Sequence, residues 1–148
     1  MHGCQMIDVR GAGPDLVLLH GWGMHRGVWG KVADQLSQRW RLHLVDLPGH
    51  GVSHATPLSA DLSELASMVF ERTPTAPWIG WSMGGLIALQ AAINQPERVE
   101  SLVLVATNPS FVTRPHWPEG VDEWIFRDFA RDLKTDFKGT LDRFLLLE

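Results

Sequence analysis

Few five-residue segments limit a fold as tightly as Gly80-Trp81-Ser82-Met83-Gly84, set between the apolar run Pro77-Trp78-Ile79 and the helix-forming run Gly85-Leu86-Ile87-Ala88-Leu89-Gln90-Ala91-Ala92. A strand that turns abruptly into a helix at Gly-x-Ser-x-Gly is a nucleophile elbow, in which the serine occupies a strained turn and its hydroxyl leaves the sheet. Glycine is needed at positions 80 and 84 because a side chain at either would collide across the turn. Ser82 then stands at a helix N-terminus, where unpaired amides and the helix dipole favour negative charge. The five-residue pattern is common by chance, so its weight comes from the strand before it and the helix after it.

The flanking chain supplies that context. Gln5 to Val9 reads as a short edge strand, and Gly11 to Asp15 as a turn cluster. Leu16-Val17-Leu18-Leu19 is continuously apolar, as expected for a strand covered on both faces of a parallel sheet. It runs into His20-Gly21-Trp22-Gly23, a tight turn able to aim a backbone N–H outward. His20 is expected to brace this turn rather than act as a base, because in this architecture the base follows the serine. Val28 to Leu36 has helical spacing, with Val28, Val32 and Leu36 in line and Trp29 and Ala33 beside them, and Arg41 to Val45 returns as a strand. In the following loop, Asp46 to Ser53, the aspartate is expected to bond backbone amides. His50 and His54 are read as solvated loop residues, since no further ligand accompanies them to make a metal site.

Asp61, with Glu64 three residues on, predicts a capping box opening a helix from about Leu62 to Arg72, stopped by Thr73-Pro74-Thr75-Ala76-Pro77. The elbow helix runs to about Asn94 before Pro96, and Val99 to Val105 reads as another buried strand. This alternation calls for a parallel sheet with right-handed crossovers and a site at the carboxyl ends of its strands. After Asn108-Pro109 the character changes. Phe111 to Gly120 is irregular; beyond it Phe126, Phe129, Leu133, Phe137 and Leu141 mark one helical face, and Arg127, Arg131, Lys134 and Lys138 another. Asp128, Asp132 and Asp136 lie beside the basic residues, as in a solvated helix with internal ion pairs. Gly139 is expected to divide the region into two helices.

Composition narrows the class. At 148 residues, 45% hydrophobic and 20% charged, the chain is one domain of ordinary globular type, and its charge of −4 argues against nucleic acid. No basic-then-apolar leader and no stretch of membrane-spanning length is visible, which predicts a cytoplasmic location and no membrane partner. The single cysteine, Cys4, has no companion for a disulfide or metal site and reads as a small apolar residue. Seven tryptophans and no tyrosine favour core or pocket lining.

With the His-Gly-Trp-Gly turn, the Asp-Leu-Pro-Gly-His-Gly-Val-Ser loop and the Gly-Trp-Ser-Met-Gly elbow in place, the chain resembles the α/β-hydrolases. More closely, it resembles the esterases of bacterial biotin synthesis that act on the methyl ester of a pimeloyl chain bound to acyl carrier protein. Leu16 to Met24, Leu42 to Gly49, Pro96-Glu97-Arg98-Val99 and Arg143-Phe144-Leu145 carry the likeness, and tryptophan in both the turn and the elbow sharpens it. The resemblance implies a mostly parallel sheet with helices on both faces, residues 1–110 being the N-terminal part of the hydrolase core and 111–148 the start of a helical cap. It implies Ser82 as nucleophile, the amides of Trp22 and Met83 as oxyanion hole, and Phe144, Leu145, Leu146, Leu147 and Glu148 as the opening of the segment that lines the acyl channel. Glu148 replaces an expected glutamine. Arg143 matches a basic position that contacts the acidic carrier protein, while Gly139 stands where another arginine is expected. No cofactor or metal is implied.

The chemistry expected is attack of the Ser82 hydroxyl on the ester carbonyl, departure of methanol, and hydrolysis of the acyl-enzyme. In this architecture the acid and the histidine follow the serine on later loops, and the sequence after Ser82 offers only His116, in the irregular segment. The chain therefore reads as the N-terminal part of a longer enzyme, inactive by itself. A serine esterase of the same fold with another small-molecule ester as substrate, or a noncatalytic module that binds an acyl chain, would share these features. Oligomeric state is not encoded in any feature above.

Overall fold

The computed structural model describes residues 6–147, so Cys4 and Glu148 lie outside the described residues. Two compact units divide the chain, Met1–Asn108 and Pro109–Glu148. The first carries a five-stranded sheet: β1 (Ile7–Arg10), β2 (Asp15–Leu19), β3 (Arg41–Val45), β4 (Ala76–Trp81) and β5 (Val99–Val105). Their order is β1-β3-β2-β4-β5. β1 runs antiparallel to β3, and the other pairs are parallel. The edge strand expected near the N-terminus is thus present at Ile7–Arg10.

Side chains alternate across the sheet, and each face has its own cover. Leu16 and Leu18 of β2, with Leu42 and Leu44 of β3, pack against Trp29 and Ala33 at the start of α1 (Gly30–Leu36). Val17, Leu19, Val45, Ala76 and Trp78 face the other way, onto α2 (Leu62–Phe70) and α3 (Met83–Asn94), through Leu65, Val69, Phe70, Ile87, Ala88 and Ala91. Trp78 is fully buried there, its ring 5.2 Å from that of Phe70. Helices on both faces of a mostly parallel sheet are what continuously apolar strands require.

Four local expectations are corrected. The buried side of the first helix is Trp29 and Ala33, whereas Val28 and Val32 are 40% and 49% exposed. The reason is that Arg26–Trp29 forms a separate 3-10 turn, and Gly30 with φ 35 shifts the phase before α1 begins. Asp61 caps α2, but its carboxylate accepts from the Ser63 amide. Glu64 does not reach back to residue 61; it takes the Ser59 hydroxyl hydrogen, and Ser59 Oγ accepts from the Asp61 amide, so a serine relays the contact. β5 is not buried throughout: Val103, Leu104 and Val105 are 50%, 41% and 42% exposed. It pairs with β4 along one edge and is the last strand of the described sheet.

The fourth correction falls in the second unit, which holds α4 (Glu123–Thr135) and α5 (Phe137–Leu145). The break lies at Asp136 (φ −144), not at Gly139, which sits inside α5. Asp136 ends α4 and caps α5, its Oδ1 accepting from the Gly139 amide at 2.9 Å. A Cβ at residue 139 would strike that carboxylate, so the glycine serves the cap rather than a break. The shift in phase removes Phe137 from the α4 face, and it is 61% exposed. Phe129 and Phe144 meet between the helices at 5.6 Å. Ion pairs lace the outside as expected, Arg131 with Asp128 at 2.8 Å and Lys138 with Asp142 at 2.9 Å.

Candidate active site

β2 is the point from which the chain departs in opposite directions, to β3 on one side and later to β4 on the other. Such a reversal opens a crevice beyond the carboxyl ends of the two strands. Three loops meet there: residues 20–23 after β2, 46–53 after β3, and Ser82 after β4.

Ser82 joins β4 directly to α3 with φ 54 and ψ −118, a left-handed conformation that costs a residue with a side chain on the order of 1–3 kcal/mol. Its amide donates to Val105 O at 2.9 Å, and its carbonyl accepts from the Gly85 and Leu86 amides. These bonds hold the backbone at both ends of the strained residue. A Cβ at Gly80 would lie 2.6 Å from Gly84 O, and one at Gly84 would run into the Leu19 and His20 carbonyl oxygens. The two glycines therefore let the elbow close and let α3 seat on the end of β2, as the sequence pattern predicts. The Met83 amide opens α3 and has no partner within the helix.

The 20–23 turn abuts the serine. A Cβ built at Gly21 would stand 3.3 Å from Ser82 Cβ and 3.9 Å from Ser82 Oγ. Ser82, Met83 and the Gly21-Trp22 turn are thus brought together. Phe144, Leu145, Leu146 and Leu147 belong to the second unit, at the end of α5 and just past it. Leu146 and Leu147 are 86% and 87% exposed there. Arg143 faces Asp136 at 3.7 Å and donates to Thr140 Oγ1 at 3.0 Å.

Two histidines tie the turn to the 46–53 loop. His20 is fully buried; its Nε2 accepts from the Leu47 amide at 3.0 Å, so the ring hydrogen is on Nδ1 and is donated to Gly21 O at 2.7 Å. Burial lowers the pKa of this imidazole from 6.5 to about 4, although the bond to Gly21 O acts in the opposite direction. His20 is therefore neutral and braces the turn, as expected. His50 repeats the arrangement: Nε2 accepts from the Gly23 amide at 2.9 Å, and Nδ1–H donates to Pro48 O at 2.9 Å. This corrects the reading of His50 as a solvated loop residue, while His54 is exposed. Asp46, 2% exposed, accepts from the amides of Arg26 at 2.6 Å and Val52 at 3.0 Å, the bonding expected of it. Among the described residues no group of three or more metal-ligating side chains occurs, and none hydrogen-bonds the Ser82 hydroxyl.

The strand, the strained serine and the helix lie within residues 14–146, which match the family model for the alpha/beta hydrolase fold. The chain belongs to the α/β-hydrolase family. This chain is 49% identical over 144 residues to a pimeloyl-[acyl-carrier protein] methyl ester esterase of Xanthomonas campestris pv. campestris, a match that covers 96% of this chain and 56% of that protein. Proteins of the same name from Nitrosomonas europaea and Xylella fastidiosa strain M12 are 48% and 47% identical, each over 96% of this chain and 56% and 55% of their own length. The chain thus spans a little over half the length of these curated relatives. Among solved structures, an esterase from Exiguobacterium antarcticum superposes with TM-score 0.83 at 27% identity, over 93% of this chain and 55% of that one. A hydrolase from Oleispira antarctica shares the fold with TM-score 0.80 at 20% identity, over 93% of this chain and 55% of that one. Among the described residues no helix is long and apolar enough to cross a membrane.

Proposed function

We propose that this chain carries the acylating part of a serine carboxylesterase that hydrolyses the methyl ester of an acyl chain on acyl carrier protein, in the cytoplasm, with the pimeloyl ester of biotin synthesis as substrate. One observation carries the reading: Ser82 sits at φ 54 at the head of α3, with the Gly21-Trp22 turn against its side chain. A hydroxyl held there can reach an ester carbonyl, beside a helix N-terminus that favours the negative charge developing on the carbonyl oxygen. Ser82 attacks, the amides of Trp22 and Met83 stabilise the oxyanion, methanol leaves, and water cleaves the acyl-enzyme. Each oxyanion donor contributes about 3 kcal/mol to the transition state. Phe144, Leu145, Leu146, Leu147 and Glu148 open the lining of the acyl channel, and Arg143 meets the acidic carrier. In this reading residues 111–148 are the start of a helical cap and residues 1–110 the N-terminal part of the hydrolase core.

The general base is not among the histidines at the sheet: His20 and His50 have both ring nitrogens committed to backbone, and His43 pairs with Asp15 at 2.7 Å. Base and acid belong to later loops in the family's order. The test is a chimera that continues this chain with the C-terminal part of the Xanthomonas relative that it does not match. Incubated with pimeloyl-carrier methyl ester and followed by mass spectrometry, the chimera is expected to release the free acid. Its Ser82→Ala variant and the 148-residue chain alone are expected not to. Turnover that survives Ser82→Ala overturns the reading.

A further inference from the structure

A backbone donor is only as useful as its direction, and the peptides of the 20–23 turn have unusual supports. In a trans peptide the C=O and the following N–H point in opposite directions. Gly21 O therefore fixes the Trp22 N–H: the carbonyl is drawn to His20 Nδ1–H at 2.7 Å and also accepts from the Met24 amide at 3.3 Å. The Trp22 amide must then leave on the side away from the His20 ring. The next peptide is held by its other group, since the Gly23 N–H donates to His50 Nε2 at 2.9 Å. Two consecutive peptides are thus gripped by two imidazoles, one at a carbonyl and one at an amide.

Both rings are anchored on the far side to a single short segment, His20 through the Leu47 amide and His50 through Pro48 O. They also touch each other, with ring centroids 5.2 Å apart and planes at 60°, and the Trp22 ring stands edge-on to His50 at 6.5 Å. Rotation of either peptide would break a bond to one ring and disturb the other. The same segment is stiffened by Asp46, whose carboxylate is occupied by two backbone amides.

We propose that His50 is a positioning residue, the second jaw of a two-histidine clamp that sets the direction of the Trp22 amide against Ser82. This rests on the reading of Trp22 as an oxyanion donor and adds to it a residue 28 positions away in sequence that never touches the substrate. The clamp works only while each Nε2 is an acceptor, so glutamine, whose amide oxygen can stand near the Nε2 position, is the conservative replacement, and alanine removes the acceptor.

The test uses the 148-residue chain labelled with nitrogen-15 and weakly aligned, so that N–H directions are read as residual dipolar couplings. In the wild type, two-bond nitrogen–nitrogen couplings across N–H···N hydrogen bonds are expected between Gly23 N and His50 Nε2 and between Leu47 N and His20 Nε2, with both rings in the Nδ1–H form. In His50→Ala the Trp22 and Gly23 vectors are expected to reorient while those of β2, β3, β4 and α3 keep their values, and His50→Gln is expected to restore them. In the chimera described above, His50→Ala is expected to lower kcat about 10-fold with KM within about twofold, an effect the size of a partly misaligned oxyanion donor, and His50→Gln to recover most of it. Vectors that stay fixed in His50→Ala, or a wild type lacking both trans-hydrogen-bond couplings, overturn the clamp. If alanine prevents folding, the wild-type couplings decide. A wild-type chimera without turnover sinks the esterase reading alone, because the vectors report the clamp independently.

Discussion

Acid offers a direct measure of how deeply His20 is built into this fold. Its imidazole has no access to solvent, and burial lowers its pKa from 6.5 to about 4, with the neighbouring His50 and His25 adding to the fall and the Gly21 carbonyl and Asp46 opposing it. The folded state holds the neutral form, and the unfolded chain takes up a proton near 6.5. Between those values the unfolded state binds more protons, so stability is fully present above about pH 7 and falls as the pH drops towards 4. From pH 7 to pH 5 the loss assigned to this one ring is about 2 kcal/mol, rising to about 3 kcal/mol below pH 4. Protonation also places a hydrogen on Nε2, where the Leu47 amide already donates. The assay is urea unfolding at several pH values for the wild type and His20→Gln, which share every other titrating group. The variant is expected to start less stable and to lose about 2 kcal/mol less over the same range. Parallel losses in the two proteins would show that His20 is not neutral for the reason given.

Gly84→Ala places a methyl against the carbonyls of Leu19 and His20, backbone that cannot step aside, and is expected to destabilise the first unit by about 3 kcal/mol in chemical denaturation. Asp46→Ala strips the acceptor from two amides and is expected to cost about 3 kcal/mol, whereas Asp46→Asn, which keeps one carbonyl oxygen, costs about half as much by the same measurement. Gly139→Ala should fail to deliver the gain of about 1 kcal/mol that alanine normally brings inside a helix, because its methyl displaces the Asp136 cap. A clear rise in helicity by circular dichroism in Gly139→Ala would refute that account.

The strands and the elbow were legible because their signals are local: Leu16 to Leu19 is covered on both faces, and the glycines at 80 and 84 are dictated by contacts within a few residues of the turn or across one strand. Where the sequence misled, the deciding partner was distant or the phase was reset. Val28 and Val32 fit a helical stripe until Gly30 rotates the register. The apolar run of β5 says nothing of how many neighbours the strand has. Gly139 resembles a helix breaker, yet a capping carboxylate three residues earlier explains it. His50 was missed because its decisive bond is to an amide 27 residues back; the available hint was a histidine between two glycines, four residues after an aspartate at the end of a buried strand.

The pairing of β2 with β4 joins Leu19 to Gly80 across 61 positions of sequence, and the site exists only once that pairing is made. A growing chain that has released β1, β2 and β3 from the ribosome can already zip those three together, but it has no pocket and no exposed reactive oxygen. Synthesis is chemically silent until α3 has emerged, and the serine then meets the turn after β2 in the single step that docks α3 onto a sheet waiting for it.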